Sequence, residues 1–182
     1  MLSKEHDKLL RLLHASLGIS EELLAGKALP FYSEAQVLAL AETDANGREH
    51  LLVPQAASAW RAMKQAARAD GIDIDIVSAF RDLREQADII RAKLERRMPM
   101  ETILTLSAPP GYSEHHTGLA VDINTAGCEE REEMFEHTSA FGWLTQHAGS
   151  FGFVLSYPRG NSIGFIYEPW HWRFQPVCKE HA

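Results

Sequence analysis

Two short segments of the chain combine residue types that could bind a metal ion. Residues 113–122 have the sequence SEHHTGLAVD, and residues 168–171 have the sequence EPWH. Asp122 lies on an otherwise apolar predicted strand, and Glu168 and His171 lie among aromatic residues, where burying such groups without a partner is costly. A single divalent ion would satisfy all three groups. Two histidines and one carboxylate with an open coordination position suit catalytic zinc.

The spacing within these segments also indicates where a substrate could bind and which residue could act as a base. Gly118, Ala120 and Asp122 fall on one face of the predicted strand, and the two small residues would leave open space beside the carboxylate. Glu168, three residues before His171, is placed to act as a general base toward metal-activated water. Asp122 also has a plainer interpretation, as a turn residue before Asn124.

Most of the nine histidines have ordinary explanations. Their polar surroundings are typical of surface or capping residues, and the HExxH helix of zincins is absent. The histidines of this kind are His6, His14, His50, His137, His147 and His181.

The two segments resemble the motifs SxHxxGxAxD and ExxH of the VanY-type D-alanyl-D-alanine carboxypeptidases. That group includes LD-carboxypeptidases and D,D-dipeptidases, and it shares the fold of hedgehog signalling domains. Upstream, residues 78–81 resemble the family's SxxR motif, and Gln86 follows the arginine by five positions. Downstream, residues 151–158 resemble the family's YGF…YP strand. The resemblance covers roughly residues 52–175.

The resemblance implies a ligand set and a base. His115, Asp122 and His171 would hold one zinc ion, and Glu168 would be the catalytic base. The register of the motif selects His115 rather than its neighbour His116.

It further implies residues that contact the substrate. Arg81 would stabilise the oxyanion or the substrate carboxylate, Gln86 and Ser113 would contact the peptide, and Tyr157 is a weaker candidate for the pocket wall. The sequence departs mildly from the family beside the arginine, where Ala79-Phe80 and Asp82 replace the usual choices.

Arg81 can also be interpreted without the resemblance. It follows a strand with Ile72, Ile74 and Ile76 and precedes a helix, where it could be a surface residue paired with a nearby carboxylate. A substrate that ends in a carboxylate needs a fixed cation, however, and the bidentate fork of arginine supplies one.

The elements that position these residues follow from hydrophobic spacing and turn signals. Because helices come first and strands cluster late, the sequence predicts an α+β fold in a single domain, a small antiparallel sheet flanked by helices as in the hedgehog/DD-peptidase group. Residues 1–50 are expected to form an N-terminal helical and hairpin segment packed on a zinc carboxypeptidase domain of residues 51–182. Helices are predicted at 3–17, from Ser20 to Gly26, from Pro54 to Gly71, at 82–97 and at 130–147; strands are predicted at 37–42, 50–53, 72–76, 118–123, 151–157 and 165–174.

Composition excludes several classes of protein. The chain has 182 residues and a net charge of −7, which argues against a nucleic-acid binder. Its dense basic stretch, residues 91–97, is typical of a solvated helix face. Cys128 and Cys178 fit reduced thiols better than a disulfide framework.

No segment of the sequence has the apolar pattern of a membrane-spanning helix or of an export signal. The early apolar runs are only two residues long and are separated by Arg11, whereas a signal peptide needs about 7–15 apolar residues. We therefore expect a cytoplasmic location, or a periplasmic one if an export signal has been removed from this chain.

The predicted function is zinc-dependent release of terminal D-alanine from peptidoglycan stem peptides. LD-carboxypeptidase activity on tetrapeptide muropeptides in cell-wall recycling is favoured, because DD cleavage in the cytoplasm would destroy pentapeptide precursors. The alternatives are a DD-carboxypeptidase, a wall-lysing endopeptidase with the same zinc site, and a non-catalytic zinc-stabilised binding module. The last would be expected to lack either the base or the arginine, and Glu168 and Arg81 are both present.

Overall fold

A computed structural model describes residues 4–25, 27 and 29–175. Within them no helix is long and apolar enough to cross a bilayer. The predicted helix end at Gly26 and the thiol of Cys178 lie outside the described residues. The elements, in chain order, are α1 (Lys4–Leu17), α2 (Glu21–Ala25), β1 (Ala39–Thr43), β2 (Glu49–Leu52), α3 (Pro54–Ala69), β3 (Asp75–Ser78), α4 (Leu83–Glu95), α5 (Met100–Leu106), β4 (Ala120–Asn124), α6 (Ser139–His147), β5 (Phe153–Leu155) and β6 (His171–Phe174), with short 3₁₀ helices at Glu114–Thr117, Glu133–His137 and Ala148–Phe151.

Two antiparallel sheets organise the chain. Strands β1 and β2 form a hairpin, and the larger sheet has the order β3-β4-β6-β5 with every neighbouring pair antiparallel. The α+β prediction with a small antiparallel sheet is therefore confirmed. All five residues of β4 are buried, so the strand that carries Asp122 lies in the middle of the molecule.

Helix α3 covers the main core. Pro54 occupies its first turn, where the missing N–H costs nothing, and its stripe of small residues brings the fully buried Trp60 and Met63 onto the sheet. Trp60 meets Phe153 of β5 edge to face, with ring centroids 6.4 Å apart. This packing holds in place the sheet whose strands β4 and β6 carry Asp122 and His171.

Helix α4 leads out of the connection that holds Arg81. Asp82 accepts from the backbone N–H of Glu85, and the Glu85 carboxylate accepts from the N–H of Asp82, which is a complete capping box. The buried face of α4 packs against α1 in a second apolar cluster; its members include Leu13, Leu17, Leu83, Ala87 and Ile90. The N-terminal helix thus lies against the helix that lines the site, while the division of the chain at residue 50 stays a prediction.

Several predicted element bounds were wrong. The strand predicted at 72–76 begins at Asp75, and the one predicted at 165–174 begins at His171, after an irregular segment. Gly118 ends the 3₁₀ helix at φ 63° instead of joining β4. A Cβ there would lie 3.0 Å from Leu38 Cδ2, so the missing side chain lets the hairpin approach and does not open space above the metal-binding face. Helix α5 was not predicted, and a 3₁₀ helix replaces the start of the helix predicted at 130–147.

Candidate metal centre and active site

Three elements bring the predicted ligands together. Asp122 of β4 is the direct cross-strand partner of His171 of β6, so the two side chains share one face of the sheet. His115 comes from the 3₁₀ helix that immediately precedes β4. One donor atom from each of the three residues lies within 4.8 Å of the others, and all three residues are buried.

Two of the distances between these atoms are close to those expected around a tetrahedral metal ion. Asp122 Oδ1 lies 3.2 Å from His115 Nε2 and 3.0 Å from His171 Nδ1. Ligands bound about 2.0–2.1 Å from zinc in a tetrahedral arrangement lie about 3.4 Å apart. The observed distances are close to that value.

Hydrogen bonding determines which ring nitrogen of His115 has a lone pair that could bind a metal ion. His115 Nδ1 lies 2.6 Å from the carbonyl oxygen of Ala79, which can only accept, so Nδ1 carries the proton. Burial, together with nearby Arg81, lowers the pKa of His115 to about 4, and the ring is neutral. The lone pair of Nε2 therefore faces the carboxylate of Asp122, an arrangement that only a cation between them makes favourable.

His171 is oriented by a carboxylate that sequence reasoning did not assign, Glu114. His171 Nε2 lies 3.0 Å from Glu114 Oε2, so this nitrogen donates a proton and Nδ1 is left to face Asp122. Burial opposes protonation of His171, but the hydrogen bonds to Asp122 and Glu114 outweigh it and raise the pKa of His171 to about 10. The position between His171 and Asp122 thus attracts positive charge.

Glu114 is itself held by several donors. Its carboxylate accepts from Ser156 Oγ at 2.6 Å, from Arg173 Nη1 at 3.2 Å and from the Tyr32 hydroxyl at 3.4 Å. Although burial opposes ionisation, the bonds to His171 and Ser156 lower the pKa of Glu114 to about 2. Glu114 is 57 residues from His171 in sequence, so no local spacing could have revealed the pair.

His116 is turned away from the cluster. Its Nδ1 lies 2.7 Å from the carbonyl oxygen of Arg81, and its Nε2 accepts from the N–H of Gly111 at 3.1 Å. A neutral imidazole has one donor and one acceptor, and both are used by backbone groups. His116 therefore has no lone pair left for a metal ion.

A cavity of about 590 Å³ opens onto His115, Asp122 and His171 and is also lined by the other predicted site residues. Glu168 stands at the metal-binding end, with its Oε2 3.7 Å from His171 Nδ1. Burial, reinforced by the charge of Asp122, raises the pKa of Glu168 to about 7. The remaining predicted residues that line this cavity are Arg81, Gln86, Ser113 and Tyr157.

Two of these residues present unused polar atoms. Gln86 donates to the carbonyl oxygen of Ala108 at 2.7 Å, and its Oε1 is buried without a partner in the described part of the chain. Arg81 Nε is likewise enclosed without a partner there. In folded proteins such atoms are usually satisfied by ordered water or by a ligand, and both atoms belong to residues that line the cavity.

Ser113 and Tyr157 shape the cavity wall. Ser113 Oγ accepts from the N–H of His115 at 3.3 Å and so begins the 3₁₀ helix that carries this ligand. The ring of Tyr157 lies 4.7 Å, centroid to centroid, from that of His171. Burial raises the pKa of the Tyr157 hydroxyl, which therefore stays protonated.

The family model of the VanY D-alanyl-D-alanine carboxypeptidases matches residues 49–177 of the chain. The chain belongs to the VanY family. Among curated relatives, the putative carboxypeptidase YodJ of Bacillus subtilis is 34% identical over 66% of this chain and 45% of its own length. The chain therefore spans about half the length of that VanY relative.

Solved structures of two peptidases are similar to this chain. The LdcB LD-carboxypeptidase superposes with a TM-score of 0.68 at 29% identity, covering 80% of this chain and 71% of its own. A mutant of the D,D-pentapeptidase VanY from a VanB-type resistance cassette, solved in complex with Zn(II), gives a TM-score of 0.61 at 28% identity and covers 82% and 83%. The donor set of two imidazoles and one carboxylate in this chain fits the same metal.

Removing the charge of Glu114 should weaken metal binding. In Glu114→Gln the side chain keeps its size but no longer balances the positive charge of the metal-bound imidazole, so we expect zinc affinity to fall roughly 10–100-fold. Competition with a chelating dye measures it. Ser156→Ala, which removes one donor to Glu114 and leaves His171 untouched, is the matched control and should lose less affinity. Equal affinity of Glu114→Gln and the unaltered protein would contradict the assigned role.

Proposed function

We propose that this VanY-family chain is a zinc-dependent carboxypeptidase that removes the terminal D-alanine from peptidoglycan stem peptides. One observation carries the proposal: a buried three-residue metal site, a carboxylate beside it and an arginine line a single cavity. These are the parts that hydrolysis of a C-terminal peptide bond requires, namely a Lewis acid, a base and a cation for the substrate.

Substrate binding would use the unpaired polar groups of the cavity. The guanidinium of Arg81 offers a bidentate fork to the terminal carboxylate of the peptide or to the developing oxyanion. The free Oε1 of Gln86 can accept an N–H of the substrate backbone, and Ser113 lies on the same wall. These contacts would place the last peptide bond beside the metal site.

Proton transfer would use Glu168. His115, Asp122 and His171 would hold a zinc ion, which as a Lewis acid would polarise the scissile carbonyl and lower the pKa of bound water. Glu168 takes a proton from the attacking water and passes it to the leaving amine of D-alanine. Burial raises the pKa of Glu168 above that of an exposed carboxylate, which favours its acceptance of the proton that it then passes on.

We further propose a preference for the LD bond of tetrapeptides and a role in cell-wall recycling in the cytoplasm. The similarity to the LdcB LD-carboxypeptidase supports this preference, although a D,D-pentapeptidase is also a structural neighbour. In the cytoplasm, DD cleavage would consume the pentapeptide precursors of the wall, whereas LD cleavage of recycled tetrapeptides would not.

Incubation of the purified protein with tetrapeptide and pentapeptide muropeptides, followed by mass spectrometry, tests the proposal. We expect the tetrapeptide to lose one D-alanine. If the pentapeptide is also cut, we expect the higher kcat/KM for the tetrapeptide. A higher value for the pentapeptide would replace the LD preference by a DD preference and leave the zinc mechanism in place. No cleavage of either stem by zinc-loaded protein would favour the binding-module alternative.

A further inference from the structure

The cavity carries positive charge that the mechanism does not use. The chain as a whole has a net charge of −7, yet three further cations line the cavity besides Arg81: Lys93, Arg96 and Arg131. Outside the metal cluster, the carboxylates among the lining residues are Glu132 and Glu168. A cleft with an excess of one charge concentrates ligands of the opposite charge.

Two of these cations come from α4 and from its C-terminal end, and α4 also contributes Gln86 to the cavity. Lys93 follows Gln86 by two helical turns, and Arg96 directly follows the helix. Lys93 Nζ donates to Ser107 Oγ at 2.7 Å. In the described part of the chain, no ion pair involves either Lys93 or Arg96. Two residues of the basic stretch that the sequence predicts to be a solvated helix face therefore line the cavity, Lys93 partly buried and Arg96 exposed to solvent.

The third cation, Arg131, reaches the cavity from a loop in an uncommon backbone conformation. Its φ is 58°, and among the described non-glycine residues only Arg97 shares a positive φ. Such conformations carry a cost and cluster at functional positions. Arg131 Nη2 forms a long ion pair with the exposed Glu130 carboxylate at 3.7 Å, and exposed pairs of this kind are weak, so the guanidinium can still bind an anion in the cavity.

The other charged residues of the cavity act on Lys93. Burial lowers the pKa of Lys93, the nearby Glu168 carboxylate opposes this shift, and the charges of Arg131, Arg81 and Arg96 lower the pKa further. Like charges gathered around one cavity repel each other unless an anion lies between them.

We propose that Lys93, Arg96 and Arg131 form a second anion subsite, which binds a free carboxylate carried by the peptide on the N-terminal side of the scissile bond. The inference rests on the proposed carboxypeptidase function and names its substrate class, an acidic peptide with at least two carboxylates. Arg81, next to the metal ligands, takes one carboxylate or the oxyanion, and the subsite takes the other.

The test compares pairs of synthetic peptides that end in D-alanine and differ only at one residue before the scissile bond, which carries either a free carboxylate or a carboxamide. Both tetrapeptide and pentapeptide pairs are made, so the result does not depend on LD or DD preference. We expect kcat/KM of the unaltered protein to be at least about 10-fold higher for the carboxylate peptide, because charge-assisted hydrogen bonds are the strong ones. In the double variant Arg96→Gln/Arg131→Asn this ratio should fall toward one. Asparagine is chosen at 131 because it tolerates a positive φ.

Arg97→Asn is the matched control, because Arg97 also has a positive φ of 60° and adjoins Arg96 but does not line the cavity. It should keep the full carboxylate preference. Equal rates for the two peptides of a pair, or a preference that survives the double variant, would overturn the subsite while the carboxypeptidase function stands. Failure to cut any of the peptides would overturn the proposed function and the subsite together.

Discussion

Glu168→Gln should abolish most of the peptidase activity and leave the metal site intact. The substitution keeps the size of the side chain but removes its ability to accept a proton, so kcat/KM should fall by at least the roughly 10²–10⁴-fold typical of general-base loss. Zinc content should not change, because Glu168 is not one of the three residues whose donor atoms converge. Product release measured by mass spectrometry and zinc measured by metal analysis on the same samples check both parts.

The cavity supplies a matched control for this variant. Glu132 is a second carboxylate on the cavity wall, and no hydrogen bond connects it to the metal ligands among the described residues. Glu132→Gln should therefore stay within a few-fold of the unaltered protein. Turnover by Glu168→Gln at a near-normal rate would remove Glu168 from the mechanism, whereas loss of zinc together with activity would make it a ligand.

The part of the site that sequence could predict is the part encoded in short motifs. His115 and Asp122 are seven residues apart, and Glu168 and His171 are three apart, so each pair is visible in one line of sequence. Antiparallel pairing of β4 with β6 then places Asp122 opposite His171. The alternating pattern that predicted β4 was nevertheless misleading, because a central strand covered on both faces is buried at every position.

The partners that select the ligand nitrogens could not be predicted. Ala79 and Glu114 act through contacts across the fold, and a backbone carbonyl such as that of Ala79 has no sequence signal at all. Charge runs were equally uninformative, since the same basic stretch contains Arg91, which pairs with Asp88 on the helix surface, and Lys93, which lines the cavity. Which residues of a charged run face a site is decided by the packing of α4 against α1.

Alanine substitution of the adjacent residues His115 and His116, one at a time, should show which of the two histidines binds the metal. His115→Ala removes the lone pair that faces Asp122, so the variant should no longer retain zinc. His116→Ala removes a ring whose two nitrogens hold the backbone at Gly111 and Arg81, so it should keep zinc and lose stability. Metal analysis after gel filtration gives the stoichiometry, and thermal unfolding with and without added zinc gives the coupling between folding and metal.

The unfolding experiment distinguishes the two effects without relying on activity. A ligand at about 100 times its dissociation constant stabilises a folded protein by about 2.7 kcal/mol, so zinc should raise the Tm of the unaltered protein and of His116→Ala. The Tm of His115→Ala should not respond to the same zinc concentration. Zinc retained by His115→Ala and lost by His116→Ala would contradict the tautomer argument, because it would mean that the nitrogen facing Gly111 leaves the backbone to bind metal.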